Sequence, residues 1–240
     1  MLSGYAAWYT LSVNRPPADN SIRCESLLSS RRALCVGAHP DDIEYRAGGL
    51  VHVMRKRGIE VIFAIATRGG KGWPGPLRRV LEGMRTRHQL RAGEILGGVE
   101  VILYDYPDGD LGRHIEPFSN ELRSLISSRE PDLILSWDPE FISTPHPDHQ
   151  AAADAVRVTQ TDITTCYYGT TQPNLWVGFD EDSLSAKLRA LKAHRTETPW
   201  FYFDLWQKKR LLAGLRAEGA KIGHPCAETF RLPSLLRPKA

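Results

Sequence analysis

Short apolar runs alternate with amphipathic stretches along most of the 240 residues. Residues 32–37 form one apolar run, ending on Gly37, and residues 59–67 form a second. Both read as strands buried on two faces. Between them, Leu50, Val51 and Met54 carry helical spacing over 47–57, and Gly58 supplies a C-cap. One β-α-β unit is therefore complete by residue 67. The alternation continues with a helix over 81–96 stopped by Gly97 and Gly98, then a strand over 99–104. A helix over 117–128, a strand over 133–137, a helix over 149–158 and a strand over 164–168 follow. An extended piece at 175–179, helices over 183–194 and 203–217, and an apolar–polar segment at 227–232 complete the reading. This alternation predicts the α/β class, as a three-layer Rossmann-like domain with a mostly parallel sheet. In such sheets the ligand site lies outside the carboxyl ends of the strands.

Residues 1–30 lack a clear period and read as an N-terminal arm, irregular over 14–21, before a single domain over 31–240. Tyr5, Trp8 and Tyr9 suggest that part of the arm packs. Apolar types make up 42% of the chain and charged types 25%, enough to bury a core without metal or disulfide staples. The net charge of +3 is not that of a chain bound to a nucleic-acid backbone, so no nucleic-acid partner is expected. The apolar runs are of strand length, far short of a membrane span, and no membrane insertion is expected. No cationic start followed by a long apolar core marks a secretion signal. Cys24, Cys35, Cys166 and Cys226 are scattered without chelating spacing, which suits reduced thiols in a cytoplasmic protein and excludes a cysteine-based zinc knuckle. Trp200, Phe201, Tyr202, Phe203 and Trp206 form an aromatic group that is either core or a contact between copies in a homo-oligomer.

The chemistry collects at two strand ends. The first predicted strand runs into Ala38-His39-Pro40-Asp41-Asp42, where His39 and Asp42 are close enough to face one centre and Asp41 lies on another bearing. The strand over 133–137 is followed by His146-Pro147-Asp148-His149. If these two strands are near neighbours, both clusters open at one edge of the sheet. Two imidazoles and a carboxylate around one cation, with one position left for water, make the ligand set of a catalytic zinc site. A spare carboxylate, Asp41, can take the water's proton, and a spare imidazole, His146, can steady an oxyanion or protonate a leaving amine. The competing reading of each cluster is an ordinary surface histidine or aspartate pair. Spacing takes the argument no further.

Ala38-His39-Pro40-Asp41-Asp42-Ile43-Glu44 with Gly48-Gly49, and His146-Pro147-Asp148-His149, resemble the two motifs of the PIG-L/LmbE-like zinc-dependent deacetylases. Thr67-Arg68-Gly69, Leu96-Gly97, Tyr106-Pro107-Asp108-Gly109, Ala193-His194-Arg195 and Ala227-Glu228-Thr229-Phe230 are similar to family signposts in the right order. The resemblance spans about residues 32–232. It implies an LmbE-like fold, one Zn2+ per chain held by His39, Asp42 and His149, Asp41 as general base and His146 as stabiliser of the tetrahedral intermediate. It further implies Asp108 as a contact to a sugar hydroxyl, and Arg68 as a contact to a hydroxyl or an anionic group. The implied reaction removes the N-acetyl group from an N-acetylglucosaminyl-type sugar in a small conjugate, such as an antibiotic or thiol biosynthetic intermediate.

Three positions depart from the family pattern. Gly70 stands where an acidic residue usually follows Thr-Arg-Gly, His88 stands in place of the glutamate of Arg-x-x-Glu, and Arg46 stands in place of a glycine. The first two are expected to remove negative charge near the substrate mouth. Gly69-Gly70-Lys71-Gly72 lacks phosphate-loop spacing and does not follow the first strand. Trp73 either stacks on a sugar ring or anchors its loop, and Asp138 either orients a ligand histidine or caps a turn. His52, His88, His114 and His224 have no partner by spacing and receive no ligand role. Two other functions are compatible with the motifs: an amidase cutting a larger amide on a pseudo-disaccharide thiol, and a non-catalytic sugar-binding protein. The intact Asp41 and the open coordination position speak against the second.

Overall fold

The computed structural model describes residues 14–71, 75–197 and 208–233. Tyr5, Trp8, Tyr9, Trp73 and the aromatic group at 200–206 lie outside the described residues. Five strands, β1 (Arg32–Gly37), β2 (Glu60–Thr67), β3 (Glu100–Tyr106), β4 (Leu133–Trp137) and β5 (Thr164–Tyr168), form one sheet in the order β3-β2-β1-β4-β5. Every pairing in this sheet is parallel. The central strands β1, β2 and β4 are buried almost throughout, as their unbroken apolar runs require, whereas the edge strand β3 is half-buried.

The strand order sets where helices and ligands can go. The chain steps one way from β1 through β2 to β3, then returns past β1 to β4 and β5. Right-handed crossovers place α2 (Asp42–Lys56) and α3 (Leu77–Ile95) on one face and α4 (Ile115–Arg129) and α5 (Pro147–Val158) on the other. Helix α6 (Glu181–Ala193) packs on α2 and α3, completing the three layers. The direction reverses between β1 and β4, which pair through Ala33 with Leu133, Leu34 with Ile134 and Cys35 with Leu135. That reversal opens the crevice in which such sheets bind ligands.

Two helices differ from the sequence reading for a physical reason. Helix α2 begins at Asp42, five residues before the predicted start, because Asp42 and Glu44 are themselves buried and break the apolar period. Helix α3 begins at Leu77 because Leu77 and Val80 are exposed and contribute nothing to the buried stripe. Gly58 adopts φ +80, as its C-cap role needs.

Part of the stretch read as an irregular arm is a helix, α1 (Asn20–Leu28), with Leu27 fully buried. Its Asn20 side chain pairs both backbone groups of Trp176, accepting from the amide at 2.8 Å and donating to the carbonyl at 3.0 Å. Trp176 lies in β6 (Leu175–Phe179), which pairs antiparallel with β7 (Cys226–Phe230). The last helix, α7 (Lys208–Ala220), packs on β7. Arg231 then exchanges two 2.8 Å backbone hydrogen bonds with Tyr167 of β5, tying the small ribbon to the main sheet.

Candidate metal centre

The two sequence clusters meet because β1 and β4 are adjacent and end on the same edge. Beyond β1, the Thr67 amide donates to the Ala38 carbonyl at 2.9 Å, and the chain then turns through His39, Pro40 and Asp41 into α2. Asp41 adopts φ +102, a left-handed conformation that costs a non-glycine residue about 1–3 kcal/mol. The surrounding structure holds it there. Arg85 donates to the Pro40 carbonyl at 2.8 Å and to the Gly69 carbonyl at 3.1 Å, and the Asp41 amide donates to Gln89 Oε1 at 3.1 Å.

Asp42, the first residue of α2, turns its carboxylate back into the crevice. Its Oδ2 accepts from the Ala38 and His39 amides, both at 2.9 Å, and from Trp137 Nε1 at 3.2 Å. Its Oδ1 lies 3.2 Å from His149 Nε2. Burial alone would raise the Asp42 pKa, but His149 and His39 hold it well below the usual carboxylate range.

His39 faces Asp148 Oδ2 at 3.1 Å and Asp108 Oδ1 at 3.2 Å through Nε2, which leaves Nδ1 on the Asp42 side, 3.8 Å from Oδ2. Burial disfavours its charged form, yet the hydrogen bonds to Asp108 and Asp148 outweigh that and push its pKa up to about 10. Asp148 is fully buried and accepts from the Gly109 amide at 2.6 Å and the Leu111 amide at 3.1 Å. His146 caps α5, its Nδ1 accepting from the Asp148 amide at 3.2 Å. Burial, with the neighbouring His39 and His149, lowers the His146 pKa. Its ring centroid is 4.9 Å from those of both other histidines.

Asp41 stands beside this group, half-shielded at the opening. Burial pushes its carboxyl up to about 7, against the pull of the Arg85 guanidinium 3.7 Å away. A partly shielded carboxyl poised near neutrality is what general-base chemistry at pH 7 needs.

The donor chemistry suits a divalent metal. His39, His146 and His149 offer ligand atoms within 4.8 Å of one another, as do His39, Asp108 and Asp148, and the two sets share His39. Together they are consistent with one metal site. Bonds of about 2.0–2.1 Å in a tetrahedral site separate neighbouring ligand atoms by about 3.3 Å. The 3.2 Å between His149 Nε2 and Asp42 Oδ1 matches that spacing, whereas His39 Nδ1 lies 3.8 Å from Asp42 Oδ2, an oxygen that already accepts the Ala38 and His39 amides and Trp137 Nε1. In the other set, both Asp148 oxygens and Asp108 Oδ2 already accept backbone amides, so these carboxylates orient His39 from behind.

The substrate-side candidates divide. Asp108 is drawn inward, its Oδ2 accepting the Lys71 amide at 2.8 Å while Oδ1 faces His39. Arg68 pairs with Asp105 and donates to Thr86 Oγ1 at 3.1 Å, in a surface cavity it lines with Arg78, Arg79, Glu82 and Tyr106. The structure brings Arg68 to no residue of the histidine cluster. Arg46 donates to Thr144 Oγ1 and lies 5.4 Å over the Trp137 ring, bracing the 138–146 loop against α2. The two departures expected to strip negative charge are each met by a carboxylate from elsewhere. A side chain at Gly70 would meet Glu82 Oε1, and Glu197 lies 3.1 Å from Arg85.

Sequence reasoning left three residues without a role here: Asp148, Trp137 and Gln89. Only Gln89 carried an earlier signal, since a polar residue four positions after Arg85 on the buried stripe of α3 is out of place in a core. Asp138 caps a turn, accepting from the Glu140 and Phe141 amides at 2.9 and 3.1 Å, and pairs with Arg231 rather than with a histidine.

The chain is 27% identical over 227 residues to the diacetylchitobiose deacetylase of Thermococcus kodakarensis, covering 84% of this chain and 82% of that one. Its fold matches the N,N'-diacetylchitobiose deacetylase of Pyrococcus horikoshii with a TM-score of 0.76 at 22% identity, covering 87% of this chain and 85% of that one. The A40926 pseudoaglycone deacetylase matches with a TM-score of 0.69 at 18% identity, covering 83% of this chain and 96% of that one. These structural likenesses show a shared fold. The family profile described as PIG-L, GlcNAc-PI de-N-acetylase, matches residues 34–159, a span that runs from β1 through both histidine motifs to the end of α5. The chain therefore belongs to the PIG-L family of metal-dependent de-N-acetylases.

Proposed function

We propose that this protein is a zinc-dependent hydrolase that removes the N-acetyl group from an N-acetylglucosaminyl-type sugar in a small conjugate. The observation that supports the reading is the Asp42 carboxylate at the reversal point of the sheet, 3.2 Å from His149 and 3.8 Å from His39, with the raised carboxyl of Asp41 next to it in the chain. His39, Asp42 and His149 would hold the metal. Zinc, when bound, supplies a Lewis acid for the amide carbonyl and lowers the pKa of water.

The remaining chemistry belongs to the chain. Asp41 takes a proton from the water that attacks the acetyl carbon. His146 accepts the Asp148 amide at Nδ1, so its proton sits on Nε2, where the neutral ring donates to the developing oxyanion. Asp41 then returns its proton to the departing nitrogen, the C–N bond breaks, and acetate and a free amine leave. Asp148 and Asp108 keep His39 oriented throughout. Arg68, in a surface cavity with Arg78 and Arg79, would meet a hydroxyl or an anionic group on the far end of the conjugate.

The relatives that act on diacetylchitobiose and on a pseudoaglycone support a glycosidic substrate with a free acetamide. The test is acetate release from a panel of N-acetylglucosaminyl conjugates, with zinc-loaded and chelated protein side by side. Zinc-dependent release from one member supports the reading and names the conjugate class. Zinc bound at one equivalent with no release from any member would overturn acetamide hydrolysis in favour of a larger amide. A protein that binds no zinc would overturn the metal centre itself.

A further inference from the structure

The strained turn that carries Asp41 is held by a side chain that no motif contains. Gln89 is fully buried in α3, 48 residues along the chain from Asp41. Its Oε1 accepts the Asp41 amide at 3.1 Å, and its Nε2 donates to Glu44 Oε1. Glu44 is also fully buried, one turn into α2, with His194 Nε2 3.6 Å from the same oxygen. Asp41 is the N-cap of α2, just before its first turn, where no helical carbonyl is available to its amide. At φ +102 that amide points away from the ordinary N-cap direction, toward α3.

We propose that Gln89 is a positioning residue for the reaction: its amide, oriented by Glu44, locks the left-handed backbone of Asp41 and so aims the carboxylate at the attacking water. The proposal rests on Asp41 being the general base. The amide group is what the place demands. Oε1 must accept from the Asp41 backbone while the other end must donate to a carboxylate, a pairing that the primary amide of Gln supplies on one planar group without a charge. An Asn is one methylene shorter and reaches neither partner from α3. A residue without the acceptor would leave a buried amide unpaired and release the turn toward an unstrained φ. The Arg85 bond to the Pro40 carbonyl steadies the preceding residue but makes no hydrogen bond to the Asp41 amide.

The test uses full-length zinc-loaded protein, N,N'-diacetylchitobiose as substrate, and amide hydrogen exchange at Asp41 as a readout that needs no turnover. Gln89→Met should lower kcat at least about tenfold with KM within about twofold and one zinc still bound, and should speed exchange of the Asp41 amide. Gln89→Glu keeps an acceptor but loses the donor to Glu44, and repulsion between the two carboxylates should push it off the Asp41 amide, with a smaller fall in kcat and a smaller rise in exchange than in Gln89→Met. The exchanged pair Glu44→Gln with Gln89→Glu keeps the acceptor for Asp41 and restores one donor across the gap. It should recover both kcat and protection. In an Asp41→Asn background, Gln89→Met should bring no further loss. Unchanged exchange at Asp41 in Gln89→Met would overturn the proposal, as would an equal fall in kcat with Asp41 and with Asn at position 41. Full activity of Asp41→Asn alone would instead overturn the base assignment, leaving the exchange measurement to judge the hydrogen bond.

Discussion

The Trp137 ring lies flat against the His149 imidazole, with centroids 3.9 Å apart and planes 13° from parallel. The same indole donates through Nε1 to Asp42 Oδ2 at 3.2 Å. One side chain at the end of β4 therefore orients two of the three proposed metal ligands, one by stacking and one by a hydrogen bond. Trp137→Phe keeps an aromatic face for His149 and deletes the donor. We expect folding to survive and zinc affinity to fall about tenfold, the usual cost of losing an outer partner of a ligand. Competition with a chelator of known affinity measures it; an unchanged affinity would show that Asp42 needs no help from the indole.

Asp41 and His149 should separate chemistry from metal binding. Asp41→Asn preserves size and hydrogen bonding but cannot accept the proton, so turnover should drop by about 100-fold or more while one zinc remains bound. His149→Ala should lose both. Metal analysis beside steady-state rates decides, and stoichiometric zinc in His149→Ala would remove that residue from the ligand set.

Asp138 gives the structure an acid-sensitive clasp. Its side chain is fully buried and meets Arg231 through two hydrogen bonds of 2.6 and 2.7 Å. Burial would raise its pKa, but Arg231 and the turn amides lower it. The folded pKa thus lies below the unfolded value of about 3.9, so the stabilisation is complete above that value and is lost as the pH falls through the folded one. Asp138→Asn should be less stable than the parent by about 2 kcal/mol at pH 7. The difference should shrink as the pH falls below about 4. Urea unfolding at pH 7 and pH 3 compares them; a gap that stays constant would place the effect elsewhere.

Gly49 marks where α2 meets the small ribbon at closest approach. A Cβ there would stand 2.6 Å from Phe179, and its amide donates to the buried Glu228 carboxylate at 2.9 Å. Phe179 is itself buried and cannot retreat freely. Gly49→Ala gains helix propensity but overpacks this contact, and a net loss of about 2 kcal/mol is expected. A rise in the urea midpoint would mean that the ribbon moves aside at little cost.

Much of the fold was legible in apolar periodicity, and two of the failures share a cause. The strands β1, β2 and β4 are uniformly apolar because both faces are covered, so their runs stand out. The start of α2 was hidden because its first turn buries Asp42 and Glu44 for the site rather than apolar groups for the core. Helix α1 was hidden because only Leu27 of its residues is buried, and polar bonds from Asn20 to Trp176 fasten it instead. Periodicity reports burial of apolar groups and is silent where polar groups do the packing.

By itself the sequence determined the alternating strands and helices, the two histidine–aspartate clusters at strand ends, and the chemistry those residues can perform. Those properties are local, set by spacing along the chain and by side-chain type. The tertiary structure alone decided that β1 and β4 lie side by side, 100 residues apart in register at Ala33 and Leu133, which turns two clusters into one centre. It also decided that Trp137 stacks on His149, that Asp148 faces His39 and that Gln89 accepts from the Asp41 amide. These contacts join segments distant along the chain. Each depends on strand order and on the face a crossover takes, quantities that no local spacing encodes.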